Sequence, residues 1–116
     1  MPWTKKRQQD TGLLDISHLV QNGTVTSMFI RRAGPVVHLA VRGWTPTGPS
    51  NATVLQIPDG FRPIFALVGL TGKFGRIVTP AQIYANELKF TEGGLTGSGD
   101  ISVVWMTSNP MPAGGA

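Results

Sequence analysis

The side chains that could do chemistry are few and scattered. His18 and His38 are the only imidazoles, and neither has an Asp or Glu at ligand spacing beside it, so both read as surface residues. Six carboxylates (Asp10, Asp15, Asp59, Glu87, Glu92, Asp100) fall in an N-terminal arm, in turns or at strand starts. Glycan hydrolysis would need two of them projecting into one cleft, and nothing in the pattern forces that. There is no GxSxG elbow or triad context for a nucleophilic serine. Gly72-Lys73 and Gly93-Gly94 are followed by no helix, so they read as hairpin glycines and not as a phosphate loop. The chain has no cysteine, which excludes a disulfide framework, thiolate zinc and thiol catalysis. The expectation is therefore no catalytic residue, no cofactor, no metal ligand and no enzyme.

Binding chemistry is better represented. Trp105, Phe61, Phe65 and Phe90 suit a core or a subunit interface. Trp44, ahead of a long loop, and Tyr84, on the polar side of a hairpin, are the rings that could be exposed, although a partly buried structural role is the stronger reading for each. Exposed rings with Asn51 and Lys89 as hydrogen-bonding partners would suit saccharides, whose C–H faces stack on rings. Nucleic-acid binding would interleave cations with stacking rings on one surface, and Phe29 beside Arg31, His38 and Arg42 is only a faint version of that. The formal charge is +4 and the sequence pI about 10.1, with Lys5, Lys6 and Arg7 adjacent and Arg31-Arg32 at a predicted hairpin tip. Such a balance suits an anionic cell-surface polymer, nucleic acid, or solubility alone. No apolar run approaches the ~20 residues of a membrane span, and the basic start lacks the apolar stretch of a signal peptide.

Positioning these groups falls to β-strands. In 116 residues there are 15 glycines and 9 prolines, and helix-forming runs are scarce. Residues 1–12 read as a basic arm, 13–109 as one β-domain and 110–116 as a flexible tail. Leu13–Val20 fits either an edge strand or a single helical turn capped by Asp15. Thr24–Arg32 and Val36–Gly43 form a hairpin with Ala33-Gly34 at its tip, pairing Ile30 with Val37 and Met28 with Leu39. That register puts Met28, Ile30, Val37, Leu39 and Val41 on the core face. Trp44–Ala52 is a loop. The midpoint, Val54–Pro63, is a strand stopped by Pro58, an Asp59-Gly60 turn, and a restart after Pro63, with one β-layer expected before it and another after. Ile64–Thr71 reads as a central strand covered on one face by the other layer and on the other by a neighbour or a partner subunit, with a turn at Gly72-Lys73 and a strand Phe74–Thr79 closed by Pro80. Ala81–Thr91 is a second hairpin turning at Asn86-Glu87, which puts Ala85, Leu88, Ile83 and Phe90 on one face. Glu92–Gly99 is a loop and Asp100–Thr107 the last strand. Several short antiparallel strands imply a sandwich or small barrel, and an antiparallel, jelly-roll-like β-sandwich is the expected fold.

The strand followed by Ile57-Pro58-Asp59-Gly60-Phe61-Arg62-Pro63 resembles the "LP-x-G-[FY]-R-P" corner of head or tip domains in tail-fibre, baseplate and minor tail proteins of tailed bacteriophages. Asp10-Thr11-Gly12 before Asp15-Ile16, the hairpin "IRRAGPVVHL" and the ending "ISVVWMTSNP" fit the same family, the last being similar to minor tail proteins of actinobacterial phages. The resemblance spans residues 10–109 and departs at Ile57, Pro35 and Glu87. It implies an all-β virion structural protein, commonly a homotrimer, that recognises a host-surface saccharide or anionic wall polymer without inserting in a membrane. Capsid decoration is the alternative, and wall-glycan hydrolysis a third possibility. On that footing Trp44, Asn51, Tyr84 and Lys89 are candidate receptor contacts. Lys5, Lys6 and Arg7 are candidates for docking to other virion proteins, and Phe65, Leu67 and Trp105 for a trimer interface.

Overall fold

Period-two alternation becomes nine antiparallel strands in the computed structural model, which describes residues 10–112. The strands are β1 (Leu14–Asp15), β2 (Gly23–Thr24), β3 (Ser27–Ala33), β4 (Val36–Pro46), β5 (Thr53–Gln56), β6 (Leu67–Phe74), β7 (Ile77–Tyr84), β8 (Glu87–Phe90) and β9 (Gly99–Met106). Their order is β1-β3-β4-β9-β6-β7-β8-β5, with β2 added to the far end of β4. Two four-stranded halves meet at one short ladder, Lys73 with Asp100 and Phe74 with Gly99. The Gln21 N–H donates to the Val54 carbonyl at 2.8 Å, and the Asn22 side chain donates to Thr53. These bonds tie β5 back toward the segment after β1, so the sheet curls around its core.

The core follows from the inward parity of each strand. Met28, Ile30, Val37, Leu39 and Val41 are all buried, as expected. The partners differ: Ile30 faces Leu39 and Met28 faces Val41, because the two-residue turn is Gly34-Pro35. The second hairpin departs in the same way, turning at Ala85-Asn86, both at positive φ (52° and 64°) as a type I′ turn requires. A register error of two residues preserves the face, so the core survived both errors. Only Ala85 changes role, moving from the expected core face to an exposed turn.

Four other expectations need correction. Ile64–Thr71 does not end at a Gly72-Lys73 turn: β6 starts at Leu67, contains Gly72 and Lys73, and turns at Gly75-Arg76, while Ile64, Phe65 and Val68 are exposed in the single chain. Pro80 lies within β7; its carbonyl accepts from Thr91 where the β8 ladder ends, so its missing N–H costs little. The midpoint corner does not divide two layers, because β5 pairs with β8 across it and β9 pairs with β4. Trp44–Pro46 belong to β4, which shortens the first loop to Thr47–Ala52. Leu13–Val20 holds both alternatives, a two-residue strand and then a 3-10 turn over Ser17–Leu19, with Asp15 Oδ1 accepting from the Ser17 N–H and hydroxyl.

Candidate functional site

Three places combine position and chemistry: the corner with its buried arginine, an apolar cleft beside it, and a pair of loops at the opposite end. Arg32 has the inward parity of Met28 and Ile30, so the hairpin turns a guanidinium into the protein, where it is 6 % exposed. Its Nε donates to the Gly34 carbonyl (2.7 Å), Nη1 to Gly60 (2.7 Å) and Pro110 (3.1 Å), and Nη2 to Asn109 (2.7 Å). One side chain thus clamps the hairpin tip, the corner and the segment after β9. The corner itself is a type II turn, in which the Phe61 N–H donates to Pro58 and Gly60 has φ 92°. A Cβ on Gly60 would come within 2.6 Å of Pro112, so glycine is needed there for space as well as for φ. Trp105 Nε1 donates to the Phe61 carbonyl (2.6 Å), and Asn109 Oδ1 accepts from the Arg62 N–H. Asn109–Pro112 are therefore fastened to the corner, and residues expected to form a free tail begin as a strap. Sequence reading placed Arg32 on a basic hairpin tip and missed this role; its even parity was the available signal.

Asp10 and Thr11, read as part of a loose arm, also attach here. Asp10 bridges to Ala33, the Thr11 N–H donates to the Arg32 carbonyl, and the Asp10 carboxylate pairs with Arg31. The hydrogen bond from Arg31, then that from the Gly12 N–H, holds the Asp10 carboxyl below its ordinary range, and Asp10 in turn raises the Arg31 guanidinium. The Ser17 hydroxyl and N–H likewise lower Asp15. The expected docking cluster Lys5, Lys6 and Arg7 lies outside the described residues.

The structure brings Phe65, Leu67 and Trp105 together. With Pro63, Ile64 and Met106 they line an open cleft of about 380 Å³ whose walls are almost wholly apolar. The roles within it differ from expectation: Phe65 is 78 % exposed and Leu67 partly buried, but Trp105 is 4 % exposed and belongs mainly to the core. Exposed Val68 and Val104 extend the apolar surface along the line where β6 and β9 part. Farther along β6 its ladder with β7 is itself irregular between Leu67 and Leu70, with Gly69 at φ 75°.

The expected receptor contacts do not converge. Trp44 is fully buried: its ring stacks on Phe90 (centroids 5.8 Å apart), meets Phe74 edge-on, and its Nε1 donates to the Gln21 carbonyl. It sits in β4 at inward parity after a bulge at Gly43, so it cannot touch a ligand. Tyr84 (61 % exposed) and Lys89 share the outer face of β7 and β8, where Tyr84 pairs with Glu87 and Lys89 with Gln82. Asn51 is exposed in the loop before β5 and packs near Gly93 of the second loop. Buried Ser50 binds the two loops together, donating to the Glu92 carbonyl and accepting from the Leu95 N–H, both at 3.0 Å. Thr45 and Ser98 hydroxyls add a 3.3 Å contact. Both loops lie where β4 ends and β9 begins, the end opposite the hairpin tip, the corner and the strap. No protein-family model and no curated protein matches the chain.

Proposed function

We propose that the chain is a structural protein of a tailed-phage virion: a trimeric, jelly-roll-like β head at the tail tip that engages a host-surface saccharide by non-covalent binding. The observation that carries this reading is the apolar cleft of Phe65, Leu67 and Trp105, continued by exposed Val68 and Val104. So much contiguous apolar surface suits a subunit face better than open solvent. The two four-stranded halves packed over one core are what a sandwich needs, and the 57–63 corner that resembles the phage family is tied by Arg32, Trp105 and Asn109 to distant parts of the chain.

The polarity of the fold fits the same reading. Asp10 and the strap mark an anchored end, and β4, whose 11 residues at about 3.3 Å each cover roughly 36 Å, separates it from the paired loops. Asn51 on those loops, and Tyr84 with Lys89 on the side face, remain the receptor contacts; many copies on one particle would make weak contacts firm. The basic arm docks to neighbouring virion proteins from the anchored end. Whole-cell adsorption, with Tyr84→Ala and Lys89→Ala expected to weaken it several-fold, tests the binding. A particle reconstruction tests the place: density at the tail tip supports the reading, and density on the capsid surface replaces it with shell decoration.

A further inference from the structure

A three-fold ring is closed by heterologous contacts, so an apolar cleft on one side of each copy requires a different, complementary surface on the other. The cleft side is the parting of β6 from β9. In an antiparallel strand the backbone groups of alternate residues point to opposite neighbours. The Met106 carbonyl accepts from the Ile64 N–H, on the β6 side, and Asp100 pairs with Lys73 on that same side. Ser102 and Val104 share this parity, and neither has a ladder partner in β6. Their backbone groups therefore face the gap, with exposed Val68 and Val104 beside it and Lys73 and Arg42 above it. Neither cation has an ion-pair partner among the described residues.

Apart from the cleft and Val36, which pairs with Met106 at its edge, three places expose large apolar side chains. Ile77-Val78 sits beside Arg76 and would bring like charge to Lys73, and Tyr84 stands alone on a polar face. The third is Leu13 (65 % exposed) with Leu14, on β1, the terminal strand of the sheet, whose outer backbone edge has no ladder among the described residues. Register places this edge at the right height. Leu14 pairs with Ile30, Ile30 with Leu39 and Leu39 with Val103; by the same ladders Asp15 is level with Ser102. Leu13, one residue before Leu14, is then level with Val104. In a ring whose axis runs along the strands, contacting surfaces must share one height, and these do. The charges agree as well, since Asp15 would lie only two residues along from the level of Lys73, which pairs with Asp100, within the span of a lysine side chain. Asp15 Oδ2 has no hydrogen-bond partner among the described residues.

Resting on the trimer reading above, we infer that the β1 edge of one copy docks into the β6–β9 gap of the next, with Leu13 against Val104 and Asp15 near Lys73. The absence of cysteine makes the test clean. Leu13→Cys and Val104→Cys chains are prepared separately, mixed, allowed to exchange and oxidised, with mass measured by light scattering before oxidation. The expected result is a trimer that forms a disulfide between the two different variants and little or none within either alone. A trimer without the mixed disulfide, or with one in the Val104→Cys chain alone, overturns this contact and leaves the trimer standing. A monomer at all concentrations overturns the trimer reading itself. As an independent check, Asp15→Lys should weaken association at least tenfold and Lys73→Glu should restore it in the double variant; no change in Asp15→Lys also counts against the contact.

Discussion

At the residue scale, Arg32 shows how a buried charge can be held by neutral groups. Its donors meet four carbonyls from three chain segments, so removing it strands acceptors in the interior. Arg32→Met is expected to destabilise the protein by about 3 kcal/mol in urea unfolding, and Arg32→Lys to recover less than half, because an ammonium lacks the planar fork. Asp10 gives a pH-dependent companion. Its carboxyl is lowered in the folded state, so its contribution is present above the ordinary aspartate range and fades as pH falls through the lowered value. Exchange protection of the Thr11 amide, bonded to the Arg32 carbonyl, should fall over that acid window. In Asp10→Asn it should already be low at neutral pH and show no such step.

At the element scale, the two hairpins show what could and could not be read ahead. Alternation in β3, β4, β7 and β8 was legible, and it placed Met28, Ile30, Val37, Leu39, Val41, Ile83, Leu88 and Phe90 in the core while missing Arg32, Trp44, Thr79 and Ala81. Turn position was not, because neither Ala33-Gly34-Pro35 nor Ala85-Asn86-Glu87 carries the Asn-Gly pair that fixes a two-residue turn. Ala85 takes φ 52° at a position that glycine fills without strain. Ala85→Gly should therefore stabilise the hairpin by about 1 kcal/mol, seen as a higher urea midpoint with an unchanged slope. The exposed start of β6 stands apart, since its expected cover was either a neighbour or a partner subunit. A continuous apolar run says that a strand will be covered, without saying whether its own chain or another does the covering. Trp44 failed as a receptor contact: the bulge at Gly43 that turns it inward is a tertiary adjustment, and composition of the adjoining loop pointed outward.

At the scale of the whole molecule, cleft and core can be separated by experiment. Phe65 is largely exposed in a single copy, so Phe65→Ser should change urea stability at low protein concentration by less than about 0.5 kcal/mol. The same substitution should reduce association measured by light scattering. Trp44→Ala should do the reverse, lowering stability by about 3–5 kcal/mol through the lost ring packing. A loss of stability in Phe65→Ser as large as that in Trp44→Ala would place the cleft in the monomer core and remove its value as a subunit face.

The gathering of Asp10 and the strap about Arg31 and Arg32 carries a further consequence for the order of the chain. Both edges of the described polypeptide meet at one pole, while Gly93-Gly94 is exposed at the other. Sequence order is thus separable from architecture. A flexible linker of about ten residues from Pro112 to Asp10, with new termini cut between Gly93 and Gly94, should yield a circular permutant with the native sheet. Its ends would emerge at the loop pole, reversing the direction in which a fused partner is carried.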